Sequence, residues 1–125
     1  MEIEHLDLPG LMLVTPRVFE DGRGSFSEMF NEREFQRRTG VDFRVVQVNR
    51  SVSAQINTIR GLHAQMPPDA QAKLLRVEHG RILDCVVDIR RGSPTYLGSV
   101  TIELSDEDDT QLFVPKGFLH GFRTM

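Results

Sequence analysis

The residues of this chain with the clearest capacity for chemistry lie in one stretch, Arg60-Gly61-Leu62-His63, which is followed by Gln71-Ala72-Lys73. A histidine can accept a proton near neutral pH. A lysine beside it can hold the negative charge that proton removal leaves behind. The pair suits proton abstraction next to a carbonyl group on an anionic substrate. On spacing alone, a surface loop with scattered basic residues is the commoner explanation, so the rest of the chain must decide.

The alternation of apolar and polar residues predicts which face of a strand Lys73, Arg60 and His63 occupy. In the alternating run 73–79, Lys73 shares a face with Leu75, and an inward-facing lysine is unusual unless it has a partner or ligand. Arg60 and His63 are three residues apart, so strict alternation places them on opposite faces. Gly61 between them is suited to a bulge that would bring both to one side.

Four polar residues each have two possible environments, and the sequence does not choose between them. The last strand sets His120 on one face between two phenylalanines, where it is either an interior histidine or a contact to a phosphate or sugar. Glu28 is either exposed or faces a pocket, since it lies between Phe26 and Phe30. Gln47 and Asn49 share a strand face with Ser51, which is either a solvated surface or a hydrogen-bonding wall.

The remaining patterns predict an all-β domain with one short helix. The helix runs from Asn31 to Gly40, with Asn31 as N-cap, Glu34 as in a capping box, Gly40 closing it and Phe35 packed inward. About eight short strands with regular turn signals indicate an antiparallel sandwich or jelly roll in a single domain, 1–125. Besides the run 73–79, we expect strands over 11–18, Ser25–Phe30, Phe43–Ser53, Arg81–Ile89, 100–104 and Gln111–Val114, and a last strand from Phe118.

Composition narrows the class of protein. The chain is 39% hydrophobic and 26% charged with a formal net charge of −3, which argues against nucleic acid and membrane partners. Acidic residues at positions 2, 4 and 7 interrupt any apolar leader. The single cysteine, Cys85, cannot form an internal disulfide and is typical of a buried small residue in a cytoplasmic protein. No His-x-His pair occurs among the four histidines, so we expect no metal site.

Six motifs in order resemble the dTDP-4-dehydrorhamnose 3,5-epimerase family, the RmlC-type, cupin-like jelly roll. They cover nearly the whole chain and read DGRGSFSE (21–28), QVNRS (47–51), RGLHAQ (60–65), QAKL (71–74), VDIR with SPT (87–95) and PKGFLHGF (115–122). The resemblance implies epimerisation at the two carbons that flank the ketone of a dTDP-4-keto-6-deoxyhexose, in deoxysugar biosynthesis. It also implies a homodimer that needs neither a metal nor an organic cofactor.

Residue roles follow from the same resemblance. His63 is expected to remove the proton and Lys73 to stabilise the oxyanion at the sugar's 4-oxygen. Arg60 and His120 are expected to contact the sugar or diphosphate. The expected nucleotide-binding set, partly supplied by the neighbouring subunit, is Arg23, Phe26, Glu28, Gln47 and Asn49.

The chain also departs from the family pattern. The family continues past Met125, and the tyrosine that returns the proton and the aspartate that orients the histidine are expected beyond that point. Tyr96 does not match that tyrosine, Asp84 or Asp88 is a candidate partner for His63, and Ala64 stands where the family usually carries a tyrosine. We therefore expect proton exchange to survive better than full epimerisation. The alternatives are a single-site 3-epimerase, a 3,4-ketoisomerase or a non-catalytic sugar-nucleotide-binding domain.

Overall fold

The protein, described over residues 1–125 by a computed structural model, is a jelly roll of two antiparallel four-stranded sheets. The first sheet has the order β1-β2-β9-β6 and the second β5-β10-β7-β8, while β3 and β4 form a separate hairpin. The single helix, α1, spans Glu32–Thr39. The strands are β1 (Glu2–His5), β2 (Met12–Thr15), β3 (Val18–Asp21), β4 (Gly24–Ser27), β5 (Ile59–His63), β6 (Lys73–Leu75), β7 (Arg81–Asp88), β8 (Ser99–Ser105), β9 (Gln111–Val114) and β10 (Phe118–Thr124).

Strand β9 is buried on both faces and joins two apolar clusters. Leu112 and Val114 point between the sheets, where they pack with Val86 and Phe118 of the second sheet. Phe113 alternates to the other face and packs against the helix side of the first sheet. The period of two along a strand therefore places one core between the sheets and a second one beneath α1.

Helix α1 follows the predicted signals closely. The Asn31 side chain accepts a hydrogen bond from the Glu34 N–H at 3.1 Å, and Gly40 ends the helix in the left-handed conformation. Phe35 is fully buried, with its ring 5.2 Å from that of Phe113. The Glu34 carboxylate does not return to the Asn31 N–H as in a capping box, because it pairs with Arg37 at 2.7 Å instead.

The strand predicted over Phe43–Ser53 is absent. This segment has no hydrogen-bonded strand beside it, and Val46 and Val48 are 87% and 83% exposed. A strand is defined by a neighbouring backbone, and an alternating sequence without such a neighbour forms no ladder.

Three other strands are shorter than predicted. The run 11–18 is divided into β2 and β3, with Pro16 between them, because proline cannot donate to a ladder. Strand β4 ends at Ser27 and β6 at Leu75, so Glu28 and His79 lie outside strands. Strand β7 confirms the prediction for Arg81–Ile89 to within one residue. No helix in the chain combines the length and apolar character needed to cross a membrane.

Candidate active site

The pairing of β5 with β10 places two histidines opposite each other. His63 lies across from His120 and Arg60 across from Phe122, so β5 uses one residue more than β10 over this interval. Directly opposed residues share a face of the sheet, and the irregularity therefore brings Arg60 and His63 to one side, as predicted. Gly61 is required there: its φ is +93°, and a Cβ would lie 2.6 Å from the His120 carbonyl oxygen.

Lys73 reaches the same region from the other sheet. It begins β6, opposite Val114 of β9, and is half-buried. Lys73 and His120 line one cleft between the loop after β5 and the β9–β10 turn. The full lining of this cleft is Ala64, Gln65, Gln71, Lys73, Val114, Pro115, Gly117, Phe118 and His120. The prediction that Lys73 points inward is therefore confirmed.

His63 lies beside this cleft and is suited to accept a proton. Its ring centroid is 6.4 Å from that of His120, with the rings nearly perpendicular. Partial loss of hydration lowers the pKa of His63 below its ordinary value of 6.5, and the positive charges of Lys73 and His120 lower it further. The imidazole is consequently neutral at physiological pH, which is the form that acts as a base.

A buried carboxylate supports His120. The Asp84 Oδ2 atom lies 2.8 Å from the His120 Nε2 atom, and both side chains are almost completely buried. The other Asp84 oxygen has no hydrogen-bond partner. Burial raises the pKa of Asp84, and the hydrogen bond to His120 opposes that rise. The pair fixes the His120 ring at the edge of the cleft.

The suggestion that Asp84 or Asp88 faces His63 is wrong for both residues. Asp84 binds His120, while Asp88 accepts hydrogen bonds from Arg90, Ser93 and Thr95. Arg90 holds the pKa of Asp88 well below its usual range. Sequence reasoning missed the Asp84 assignment, although a carboxylate inside an otherwise apolar strand signals that a partner must exist.

Arg90 links this second carboxylate to the cleft wall. Its guanidinium lies 4.4 Å above the Phe118 ring and donates to the Pro9 carbonyl oxygen. Phe118 lines the cleft, so Arg90, held by its salt bridge to Asp88, supports the cleft wall on the side away from the cleft.

The other predicted site residues do not line the cleft. Arg23 pairs with Asp21 at 2.7 Å on the β3–β4 hairpin, which forms its own two-stranded sheet. Gln47 donates to the Asn49 side chain, and Arg60 donates to the Ser53 hydroxyl. The structure therefore brings Lys73 and His120 into the cleft and places His63 beside it. It leaves six residues outside the cleft: Arg23, Phe26, Glu28, Gln47, Asn49 and Arg60.

The chain contains no cluster of three histidine, cysteine or acidic side chains arranged to hold a metal ion. The chemistry that this arrangement can perform with its own residues is proton transfer, with a neutral imidazole and an ammonium group beside one cleft.

The sequence of this chain is similar to those of a known enzyme family. The sequence profile described as dTDP-4-dehydrorhamnose 3,5-epimerase matches residues 5–125. The chain is 50% identical over 125 residues to the enzyme of that name from Sinorhizobium fredii, covering all of this chain and 64% of that one. The chain thus spans about two-thirds of the length of this curated relative.

Solved structures agree with the sequence match. The crystal structure of dTDP-4-dehydrorhamnose 3,5-epimerase from Elizabethkingia anophelis superimposes with a TM-score of 0.96 at 41% identity, over 100% of this chain and 68% of that one. The Legionella pneumophila RmlC epimerase, solved in complex with dTDP-4-keto-L-rhamnose, gives a TM-score of 0.92 at 39% identity, over 99% and 65%.

Proposed function

The chain belongs to the dTDP-4-dehydrorhamnose 3,5-epimerase family, and on that premise we propose that it epimerises a dTDP-4-keto-6-deoxyhexose at C3 and C5. The observation that carries the proposal is that Lys73 and His120 meet at one cleft from two different sheets, with His63 beside them on the strand paired with β10. The Legionella relative, which was solved with a dTDP-4-keto sugar, supports the substrate class.

The proposed mechanism begins with proton removal beside the ketone. The neutral imidazole of His63 takes the proton from the carbon, and the electron pair of the broken C–H bond moves into the carbonyl to form an enolate. The Lys73 ammonium stabilises the negative charge that develops on the 4-oxygen. A proton from solvent water adds to the carbon on the opposite face as the enolate electron pair re-forms the C–H bond, which inverts the configuration, and His63 releases its own proton to solvent. The cycle transfers protons only, with no net oxidation or reduction, so it requires no redox cofactor.

In this proposal His120 and Arg60 serve to orient the substrate. His120, fixed by Asp84, presents its ring at the wall of the cleft. Arg60 lies on the same face of β5 as His63 and is suited to bind the diphosphate, because guanidinium groups match phosphate geometry.

The direct test is proton exchange in deuterated water, followed by proton NMR of dTDP-4-keto-6-deoxyglucose. The proposal expects deuterium at both C3 and C5. Exchange at C3 alone would replace it with a single-site epimerase or a ketoisomerase. Binding without any exchange would instead favour a non-catalytic sugar-nucleotide-binding domain.

A matched pair of variants isolates the role of His63. His63→Ala is expected to lower the exchange rate about 10²–10⁴-fold, the usual contribution of a positioned base. His79→Ala is the control, since His79 is almost fully exposed and pairs with Asp106 away from the cleft. Equal loss in both variants would contradict the assignment.

We also propose that the chain acts as a homodimer. Strand β5 lies at the edge of its sheet, and an edge presents unpaired backbone groups to another chain. The segment 43–54, which precedes it in sequence, has no helix or strand of its own and carries exposed Val46, Val48 and Val52. The β3–β4 hairpin, with Arg23 and an exposed Phe26, is then available to complete the nucleotide site of the partner subunit.

Mixing two inactive variants tests this arrangement. If Arg23 acts across the dimer, a His63→Ala and Arg23→Ala mixture places both defects in one site of each mixed dimer and leaves the other site intact. Random exchange of subunits should then restore about a quarter of the wild-type activity. A mixture of His63→Ala and Lys73→Ala is the control and should restore none. No recovery in the first mixture would mean that Arg23 does not act across the dimer.

The proposal extends to the compartment. A single unpaired cysteine fits a reducing environment, so we place the enzyme in the cytoplasm. Fractionation of cells that produce the protein, with detection by antibody, tests this expectation.

A further inference from the structure

Two small residues separate the cleft from a second cavity. Ala64 and Gly117, together with the longer Gln65, line both spaces. The second cavity has a volume of about 250 Å³ and lies between the loop after β5 and the β9–β10 turn. Its own lining is Met66, Pro67, Ala70, Ile89 and Lys116.

The two volumes differ greatly. The cleft beside Lys73 and His120 encloses about 10 Å³, which is close to the space that one water needs. A sugar ring is larger than this cleft. When its carbonyl oxygen approaches Lys73, the rest of the ring must therefore lie outside the cleft, along one of the open directions. One such direction passes over Ala64 into the second cavity.

The three residues that line both spaces differ in the substitutions that they can accept. Gly117 cannot carry a larger side chain, because its φ is +88° and a Cβ would lie 2.5 Å from the Arg90 Cγ atom. Gln65 is exposed and long enough to turn aside. Ala64 is therefore the small residue of the shared wall that can take a larger side chain without backbone strain, because its φ is not positive.

We propose that Ala64 determines substrate size by leaving the cleft open to the second cavity, which receives an apolar substituent on the sugar ring. This inference rests on the proposed function. Met66, Pro67, Ala70 and Ile89 give this second cavity its apolar character. It is open to solvent, since Met66 is 66% exposed, and apolar substituent atoms that pack against its walls lose part of their contact with water, which favours binding.

The test compares three nucleotide sugars by titration calorimetry with the full chain. The reference is dTDP-4-keto-6-deoxyglucose, and the analogues carry either a propyl group in place of the C6 methyl or a propyl ether at the 2-oxygen. The wild-type protein is expected to bind at least one analogue within about threefold of the reference. Rejection of both analogues by the wild type, at tenfold weaker Kd or more, would overturn the inference without any variant.

Two variants close the cavity from opposite sides. Ala64→Phe blocks the opening, and Ala70→Phe fills the interior from a position that does not line the cleft. Each is expected to weaken binding of the accepted analogue about tenfold or more relative to the reference, as steric exclusion of a few carbon atoms does. An unchanged ratio in a folded variant would refute the inference. Circular dichroism establishes folding, and either variant suffices if the other does not fold.

The same samples distinguish the two proposals. Deuterium exchange on the reference sugar measures the proposed epimerase activity. The ratio of the analogue's dissociation constant to that of the reference tests whether the cavity receives the added substituent. If no exchange occurs but the variants change the ratio of dissociation constants, the activity is rejected and the role of Ala64 is retained. If exchange occurs but the variants leave the ratio unchanged, the activity is retained and the role of Ala64 is rejected.

Discussion

The Asp84–His120 pair allows a quantitative prediction of stability. Asp84 has no exposed surface and makes one side-chain hydrogen bond, at 2.8 Å to a histidine that is only 7% exposed. Asp84→Ala removes that bond and leaves the His120 ring nitrogen buried without a partner, which costs about 1–3 kcal/mol. The space left by the carboxylate adds to this, so we expect the free energy of unfolding to fall by about 3 kcal/mol.

Asp84→Asn is the matched variant. Its side-chain oxygen can take the position of Oδ2 and keep the contact with His120, while its amide occupies the side that has no partner in the wild type. We expect a loss of about 1 kcal/mol or less. Thermal unfolding followed by circular dichroism should show a Tm lower by roughly 10 °C for the alanine variant and by only a few degrees for the asparagine variant.

The pair itself is measured by a double-mutant cycle. Denaturant unfolding of Asp84→Ala, His120→Ala and the double variant gives the coupling energy, which we expect to be about 1–3 kcal/mol. Additive losses in the two single variants would refute the reasoning, since they would mean that the buried hydrogen bond contributes nothing.

The pH dependence of the same variants has a definite sign. Because burial raises the pKa of Asp84 above 3.8, the folded state favours the protonated carboxyl more than the unfolded state does. That contribution to stability is fully present below pH 3.8 and is lost as the pH rises through the folded pKa. As the pH rises through this range, the free energy of unfolding of the wild type should therefore fall relative to that of Asp84→Asn. A difference between the two proteins that does not change with pH would contradict a raised pKa for Asp84.

Three further predictions concern the cleft and the core. Lys73→Met should lower the exchange rate about 10²–10³-fold, as the loss of one oxyanion donor does. It should also raise the pKa of His63 measured by NMR, because the Lys73 charge is one cause of its lowered value. The exchange rate should fall with decreasing pH as His63 becomes protonated, with its midpoint below 6.5, and a midpoint above that value would argue against His63 as the base. Phe35→Ala should lower the free energy of unfolding by about 3–5 kcal/mol in denaturant titrations, because the ring is fully buried beside Phe113.

Much of the fold follows from local signals that the sequence carries. The ends of α1 were predictable because a side-chain oxygen at Asn31 and the freedom of Gly40 to adopt a positive φ act within one turn of the chain. Strand β7 was predictable because a continuous apolar run needs burial. The bulge at Gly61 was predictable from a glycine between two residues that strict alternation would have separated.

The errors occurred where the decisive partner is distant in sequence. The segment Phe43–Ser53 alternates as a strand does, but whether it forms one depends on a neighbouring backbone that the segment does not contain. The partner of Asp84 was misjudged because 36 residues separate it from His120, and only the β7–β10 pairing brings them together.

The sequence by itself determined the chemical types at the site: a histidine, a lysine and a second histidine on strands, each placed by a period-two pattern that acts over a few residues. Only the tertiary structure decided which of them meet. Lys73 belongs to one sheet and the two histidines to the other, and the distance across the jelly roll depends on the packing of both sheets on one core. The opening beside Ala64 has the same origin, because a cavity is the space left between elements and no residue encodes it alone.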